Sequence, residues 1–145
     1  RAAIHRRSWQ YFGLEADFRE PGRYRAGTVA DAPVLVVRGD DGVLRGFYNV
    51  CRHRGHRLVE GEGRCRALAC PYHAWTYDLA GAATGIRGAP EALRGSGIRL
   101  QEVRVDTLCG LVWINLDPEA APMAREFAGL DADLRAAIPG LARLR

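Results

Sequence analysis

Two mixed pairs of cysteine and histidine constrain this chain more than any other feature: Cys51-Arg52-His53 and Cys70-Pro71-Tyr72-His73, with sixteen residues between His53 and Cys70. Each pair sets a thiol and an imidazole in one short stretch, so a metal centre that uses all four must lie between two facing loops. A single tetrahedral zinc accepts that donor set. Zinc sites, however, usually group like with like, as C-x2–4-C and H-x3–5-H, whereas both pairs here are mixed and the first has one residue between its donors. A cluster of two irons and two sulfides accounts for the mixture, with two thiolates on one iron, two imidazoles on the other, and one donor of each kind from each loop. Charge points the same way. An oxidised 2+ core with two thiolates and two neutral imidazoles sums to zero, and such centres have potentials of roughly −150 to +300 mV against about −400 mV for plant-type clusters with four thiolates.

The flanks read Asn49-Val50-Cys51-Arg52-His53-Arg54-Gly55-His56 and Cys70-Pro71-Tyr72-His73-Ala74-Trp75-Thr76-Tyr77-Asp78-Leu79-Ala80-Gly81. Together they resemble the Rieske domain of the large, or alpha, subunit of the Rieske non-heme iron oxygenases, the aromatic-ring-hydroxylating dioxygenase family. Weaker likeness runs over nearly the whole chain: Arg7 to Gly13 and Val34 to Arg38 look like the family's opening segment and first hairpin, and Gly110 to Asp117 like its closing strand. The resemblance implies one domain over residues 1–145, a mainly β, Rieske-type iron–sulfur fold of antiparallel sheets. It places cluster-binding loops at about 49–58 and 70–78, a short N-terminal helix, and a C-terminal helical segment at about 119–138. It also implies that Cys51, His53, Cys70 and His73 bind a [2Fe–2S] Rieske cluster, with Arg54, Gly55, Tyr72 and Trp75 around it.

The Rieske proteins of the cytochrome complexes of respiration and photosynthesis offer a contrast. They resemble C-T-H-L-G-C and C-P-C-H-G-S, where the extra cysteines form a disulfide and the serine hydrogen-bonds to a cluster sulfur. Here those positions hold His56, Tyr72 and Trp75, while Tyr77 stays where that class also has a tyrosine. Fewer hydrogen bonds to sulfur mean a lower potential, so a value below zero millivolts is expected. That suits reduction by a ferredoxin or a flavin reductase and delivery of electrons to an oxygen-activating iron. The resemblance implies the exit as well. In the family the histidine equivalent to His73 meets an aspartate of the neighbouring alpha subunit's catalytic domain in a trimer, so His53 and His73 are expected at an exposed tip.

The family's oxygenase chemistry takes place at a mononuclear Fe(II) held by two histidines and a carboxylate, in a pattern like D-x-x-H-x-x-x-x-H. No such pattern occurs here, and with His53 and His73 committed, His5 and His56 are too isolated to form a facial triad. A portion of a larger oxidoreductase subunit is therefore expected, one that transfers electrons and lacks the catalytic mononuclear-iron domain. For the whole subunit the resemblance implies a dioxygenase or related oxygenase, with aromatic hydrocarbon catabolism as the broad theme and aromatic acids and quaternary amines also among family substrates. Two alternatives remain open: a free-standing Rieske ferredoxin, which would be shorter and lack the Arg54-Gly55 and Trp75-Thr76-Tyr77 features, and a zinc-bound structural module.

At 145 residues and 48% hydrophobic, the chain is sized for one globular core. No apolar run is long enough to cross a bilayer and no hydrophobic signal region follows the start, so a cytoplasmic domain is expected. All 21 basic residues are arginine and the net charge is +4. The arginines are dispersed among 17 acids, with neither a basic stripe nor an aromatic RNA motif, which argues against nucleic acid. A mildly positive surface suits an acidic donor or a neighbouring subunit; a merely solvated surface is the simpler reading. Cys65 and Cys109 are expected free, in a reducing compartment, at buried or half-buried strand positions. His56 is expected in a loop near the cluster and His5 in solvent.

Along the chain, residues 2–10 close a helix, Trp9 to Leu14 starts the sheet, and Pro21-Gly22 turns into a strand at Arg23 to Thr28. Asp40-Asp41-Gly42 joins Val34 to Arg38 with Leu44 to Asn49 as a hairpin. Arg64 to Ala69 is expected as one strand between the loops, with Trp75 to Tyr77 leading out of the second. Residues 81–97, rich in glycine and alanine, read as an exposed excursion before strands at Leu100 to Asp106 and Leu111 to Leu116. Met123, Phe127, Leu130, Leu134 and Ile138, spaced four, three, four and four, mark one face of a terminal helix preceded by Asp117-Pro118 and ended by Pro139-Gly140.

Overall fold

The apolar run Ala32-Pro33-Val34-Leu35-Val36-Val37 organises the molecule. A strand that alternates apolar and polar residues has one wet face, whereas a continuous run is buried on both, and Val34 to Val37 are all fully buried. In a computed structural model that describes residues 2–88, 90, 97–138 and 140, this run is the strand β3 (Ala32–Arg38). Val34 and Val36 pack into one core with Phe18, Val112 and Ile114. Leu35 and Val37 pack into another with Phe47, Leu68, Tyr77, Cys51 and Cys70. The strand is thus a wall shared by the main body and the region that carries both cysteines.

The body is a seven-stranded antiparallel sheet in the order β1-β10-β9-β4-β3-β2-β5. Its other strands are β1 (Gln10–Leu14), β2 (Arg23–Val29), β4 (Leu44–Tyr48), β5 (Glu62–Arg64), β9 (Glu102–Leu108) and β10 (Leu111–Asn115). The sheet curls until its ends meet. Gly27 of β2 lies so close to the Phe12 ring of β1 that a Cβ there would stand 2.9 Å from it. Beside it Arg25 donates to the Phe12 carbonyl at 3.4 Å and to the carboxylates of Asp17 and Glu62, each at 3.0 Å. A second sheet, β6 (Leu68–Ala69), β7 (Thr76–Tyr77) and β8 (Ala83–Gly85), packs on the outer face of β3 and β4. The hairpin at Asp40 to Gly42 forms as expected, with Asp41 accepting from the Val43 amide at 3.1 Å and from Arg45 at 2.8 and 2.6 Å.

Several elements differ from the sequence reading. The first helix is confined to α1 (Ala2–His5). The expected strand from Arg64 to Ala69 is two strands in different sheets: β5 ends at Arg64, the Cys65 amide bonds to the Gly22 carbonyl at 3.0 Å, and the chain bends before β6. Residue alternation cannot reveal such a change of partner. The excursion after Gly81 contains β8, which completes the small sheet; residues 89 and 91–96 of it lie outside the described residues. Cys65 lies between β5 and the bend at Arg66 and Ala67, and Cys109 in the β9–β10 turn at φ +56, so neither occupies a strand.

The terminal helix is also divided, into α2 (Met123–Glu126) and α3 (Leu130–Ala137), because Gly129 adopts φ +88 between them. Met123, Leu130 and Leu134 pack with Trp9, Leu108 and Cys109, whereas Phe127 and Ile138 of the same stripe are exposed. The cap of α2 comes from another element: the Met123 amide donates to Asp106 of β9 at 2.8 Å. Asp117-Pro118 makes a turn ahead of the helix, with the Ala120 amide on the Asp117 carbonyl at 3.1 Å, and Pro139 lies outside the described residues.

Candidate metal centre

The two loops that carry the cysteines are built alike. In the first, the Cys51 amide donates to the His56 carbonyl at 2.8 Å and the Gly55 amide returns to the Cys51 carbonyl at 3.0 Å. In the second, the Cys70 amide donates to the Trp75 carbonyl at 2.7 Å and the Ala74 amide returns to the Cys70 carbonyl at 3.0 Å. The residue four past each cysteine takes the left-handed backbone, Gly55 at φ +74 and Ala74 at φ +56. Glycine adopts that conformation freely, while alanine there costs roughly 1 kcal/mol. Within this shared frame the histidines differ by one position, His53 standing two residues after its cysteine and His73 three.

Burial separates the donors by type. Cys51 and Cys70 are 2% and 3% exposed, His73 is half-buried and His53 is exposed. The two imidazoles meet edge to face, ring centres 4.7 Å apart at 72°. Trp75, 6% exposed, lies parallel to His53 within 7° at 4.9 Å, and Tyr72 leans on His73 at 3.9 Å. Arg54 is exposed beside them, and a cavity of about 580 Å³ lined by Arg52, His53, Arg54, His73, Trp75 and Arg87 opens over the rings.

Tyr77 joins the loops from below. Its ring is fully buried between the cysteines' core neighbours, and its hydroxyl accepts from the Arg52 amide at 3.0 Å while lying 3.3 Å from Cys51 Sγ. A Cys51 thiolate has no proton to give, so the phenol is the donor in that contact when the sulfur binds metal. Burial and the Cys51 contact push the phenol well above its ordinary pKa, so the group stays a donor. At His73, burial and the nearby His53, Arg54 and His56 lower the pKa, which favours the neutral imidazole that a metal requires.

Sequence reasoning gave Asn49 no role. It is 1% exposed and staples the first loop shut: its side-chain oxygen accepts from the Leu58 and Val59 amides, both at 3.1 Å, and its amide donates to the Val59 carbonyl at 2.7 Å. Asp78 closes the turn after the second loop, accepting from the Ala80 and Ala82 amides at 3.0 and 2.8 Å. Polar residues at the edges of an apolar strand were the available signal, but spacing alone cannot show that Asn49 reaches nine and ten residues ahead.

The donor chemistry fits a [2Fe–2S] group. Two buried thiols and two imidazoles lie on matched loops with a phenol aimed at one sulfur, while among the described residues no three Cys, His, Asp or Glu side chains are gathered as a site for one ion. Comparison with known proteins agrees: the Rieske [2Fe–2S] domain matches residues 8–104. The chain belongs to the Rieske [2Fe–2S] domain family. It is 34% identical over 139 residues to the carnitine monooxygenase oxygenase subunit of Escherichia coli K12, an alignment that covers 94% of this chain and 37% of that protein. Against the benzene 1,2-dioxygenase alpha subunit of Pseudomonas putida it is 35% identical over 124 residues, covering 83% and 28%. The fold overlays the crystal structure of the quaternary ammonium Rieske monooxygenase CntA in complex with L-carnitine with a TM-score of 0.89 at 32% identity, covering 97% of this chain and 41% of that one. The chain thus spans well under half the length of these relatives.

Proposed function

We propose that Cys51 and Cys70 hold one iron of a [2Fe–2S] Rieske cluster, that His53 and His73 hold the other, and that the domain passes electrons within an oxygenase. The observation that carries this reading is the pair of matched loops, each bringing one buried thiol and one outward imidazole to the same place. When bound, the cluster supplies a one-electron redox couple. The protein's part is to keep the sulfurs dry, to donate the Tyr77 hydroxyl to Cys51, and to present both imidazoles at the surface. Among the described residues neither His53 nor His73 hydrogen-bonds to a protein group, so the outer ring nitrogens are open to a partner. The likeness to oxygenase subunits over 94% of the chain supports a domain of an oxygenase subunit, with the acceptor a mononuclear iron in a catalytic domain of a neighbouring alpha subunit, over a free-standing ferredoxin. A ferredoxin or flavin reductase is the proposed donor.

The likeness to the carnitine monooxygenase oxygenase subunit and to the quaternary ammonium monooxygenase CntA supports a quaternary ammonium compound as substrate of the whole protein. No helix among the described residues is long and apolar enough to cross a membrane. A reducing, cytoplasmic setting is proposed because Cys51 and Cys70 must be thiolates to hold iron and Cys65 and Cys109 form no disulfide. The test of the metal assignment is chemical analysis. The purified chain is expected to contain two irons and two acid-labile sulfides, and Cys70→Ser or His53→Ala is expected to abolish both; a colourless protein with one zinc would sink the assignment.

A further inference from the structure

We propose that Trp75 and Tyr72 are positioning residues that fix the ring planes of the two ligand histidines, Trp75 that of His53 and Tyr72 that of His73. The proposal rests on the ligand assignment above. The terminal torsion of a histidine side chain is broad, so a ligand imidazole needs an outside constraint. Usually a hydrogen bond at the second ring nitrogen supplies it. Among the described residues the only histidine ring with such a bond is that of His56, which meets the Arg57 carbonyl at 2.7 Å. Within this domain His53 and His73 are restrained by ring faces instead.

The geometry is specific. Trp75 of the second loop lies within 7° of parallel to His53 of the first at 4.9 Å, and the backbone that aims it is fixed because its carbonyl accepts the Cys70 amide at 2.7 Å. The residue that closes one loop therefore grips the histidine of the other. Tyr72 contacts His73 at 3.9 Å and 47° and is backed by His56 at 5.6 Å. Five rings run in file, Trp75, His53, His73, Tyr72 and His56, and three of the four steps cross between loops. This file links loops that no disulfide joins. It also restrains each imidazole without consuming its outer nitrogen, which a hydrogen bond within the domain would do.

Pulsed electron paramagnetic resonance of the reduced protein reads the nitrogen couplings of coordinated imidazoles. Trp75→Leu is expected to shift the coupling of one nitrogen and widen the spread of g values, and Tyr72→Leu to shift the coupling of the other. Trp75→Phe and Tyr72→Phe, which keep a ring face, are expected to restore the wild-type couplings. Tyr72 is 58% exposed, so its leucine variant is a test that does not depend on how the core tolerates loss of Trp75. Wild-type couplings in a folded, cluster-loaded Tyr72→Leu protein would overturn the proposal. A wild-type protein with no nitrogen couplings at all would instead overturn the ligand assignment beneath it.

Discussion

The Tyr77 hydroxyl sets the polarity around one of the two sulfurs. Tyr77 accepts the Arg52 amide and lies 3.3 Å from Cys51 Sγ, to which it donates when that sulfur is a thiolate, so this domain keeps one of the two hydroxyl contacts that the cytochrome-type sequences imply and, with Trp75 at the other position, lacks the second. A donor to sulfur stabilises the reduced, more negative state. If that preference is worth ~1 kcal/mol, then at 59 mV per tenfold change for one electron Tyr77→Phe lowers the reduction potential by about 40 mV. A spectroelectrochemical titration checks this; an unchanged potential would reduce Tyr77 to a packing role. That the two mixed pairs converge was legible in the sequence, because their residue types and spacing call for one shared site. The stack of Trp75 on His53 was not, since ring planes follow from loop geometry that spacing does not encode.

Among the elements, α3 shows how the C-terminal segment is tied down. Asp131 in its first turn accepts from Arg135 at 2.7 and 3.1 Å and from the Cys109 thiol at 3.0 Å, so the β9–β10 turn and the helix share one carboxylate. Arg135 first, and then Cys109, hold the Asp131 carboxyl down at about 2. An unfolded aspartate titrates at about 3.9. The folded value is the lower one, so the contribution is complete above about pH 4 and is lost as pH falls through about 2. Asp131→Asn is therefore expected to lower the melting temperature at pH 7, with the difference from wild type shrinking between pH 4 and 2. A difference that stays constant over that window would remove Asp131 from the account. The periodic stripe from Met123 to Ile138 was read correctly as a packing face for Met123, Leu130 and Leu134. Its division at Gly129 was invisible, because the four-three-four spacing continues unbroken through a glycine that has turned left-handed.

The whole molecule depends on β3 having two buried faces. Leu35 points into the core that holds Cys51 and Cys70, and Val36 into the core of the curled sheet. Leu35→Ala is expected to cost about 2–5 kcal/mol and to speed loss of the visible cluster bands on storage. Val36→Ala is expected to lower the melting temperature and leave the rate of cluster loss per folded molecule unchanged. Equal rates of loss in the two variants would contradict the shared-wall description. The mainly antiparallel fold and the main hairpin were legible because alternation and turn residues report strands directly. The switch of β5 and β6 between sheets was not, because a strand's sequence does not name its partner. The most direct test of the central claim, that these two loops together hold one [2Fe–2S] cluster with mixed ligands, is electron paramagnetic resonance before and after one-electron reduction. The protein is predicted to be silent when oxidised and, once reduced, to give a signal whose average g lies below the free-electron value, absent from Cys51→Ser and His73→Ala. A reduced protein that remains silent, or a signal that survives loss of His73 unchanged, would contradict it.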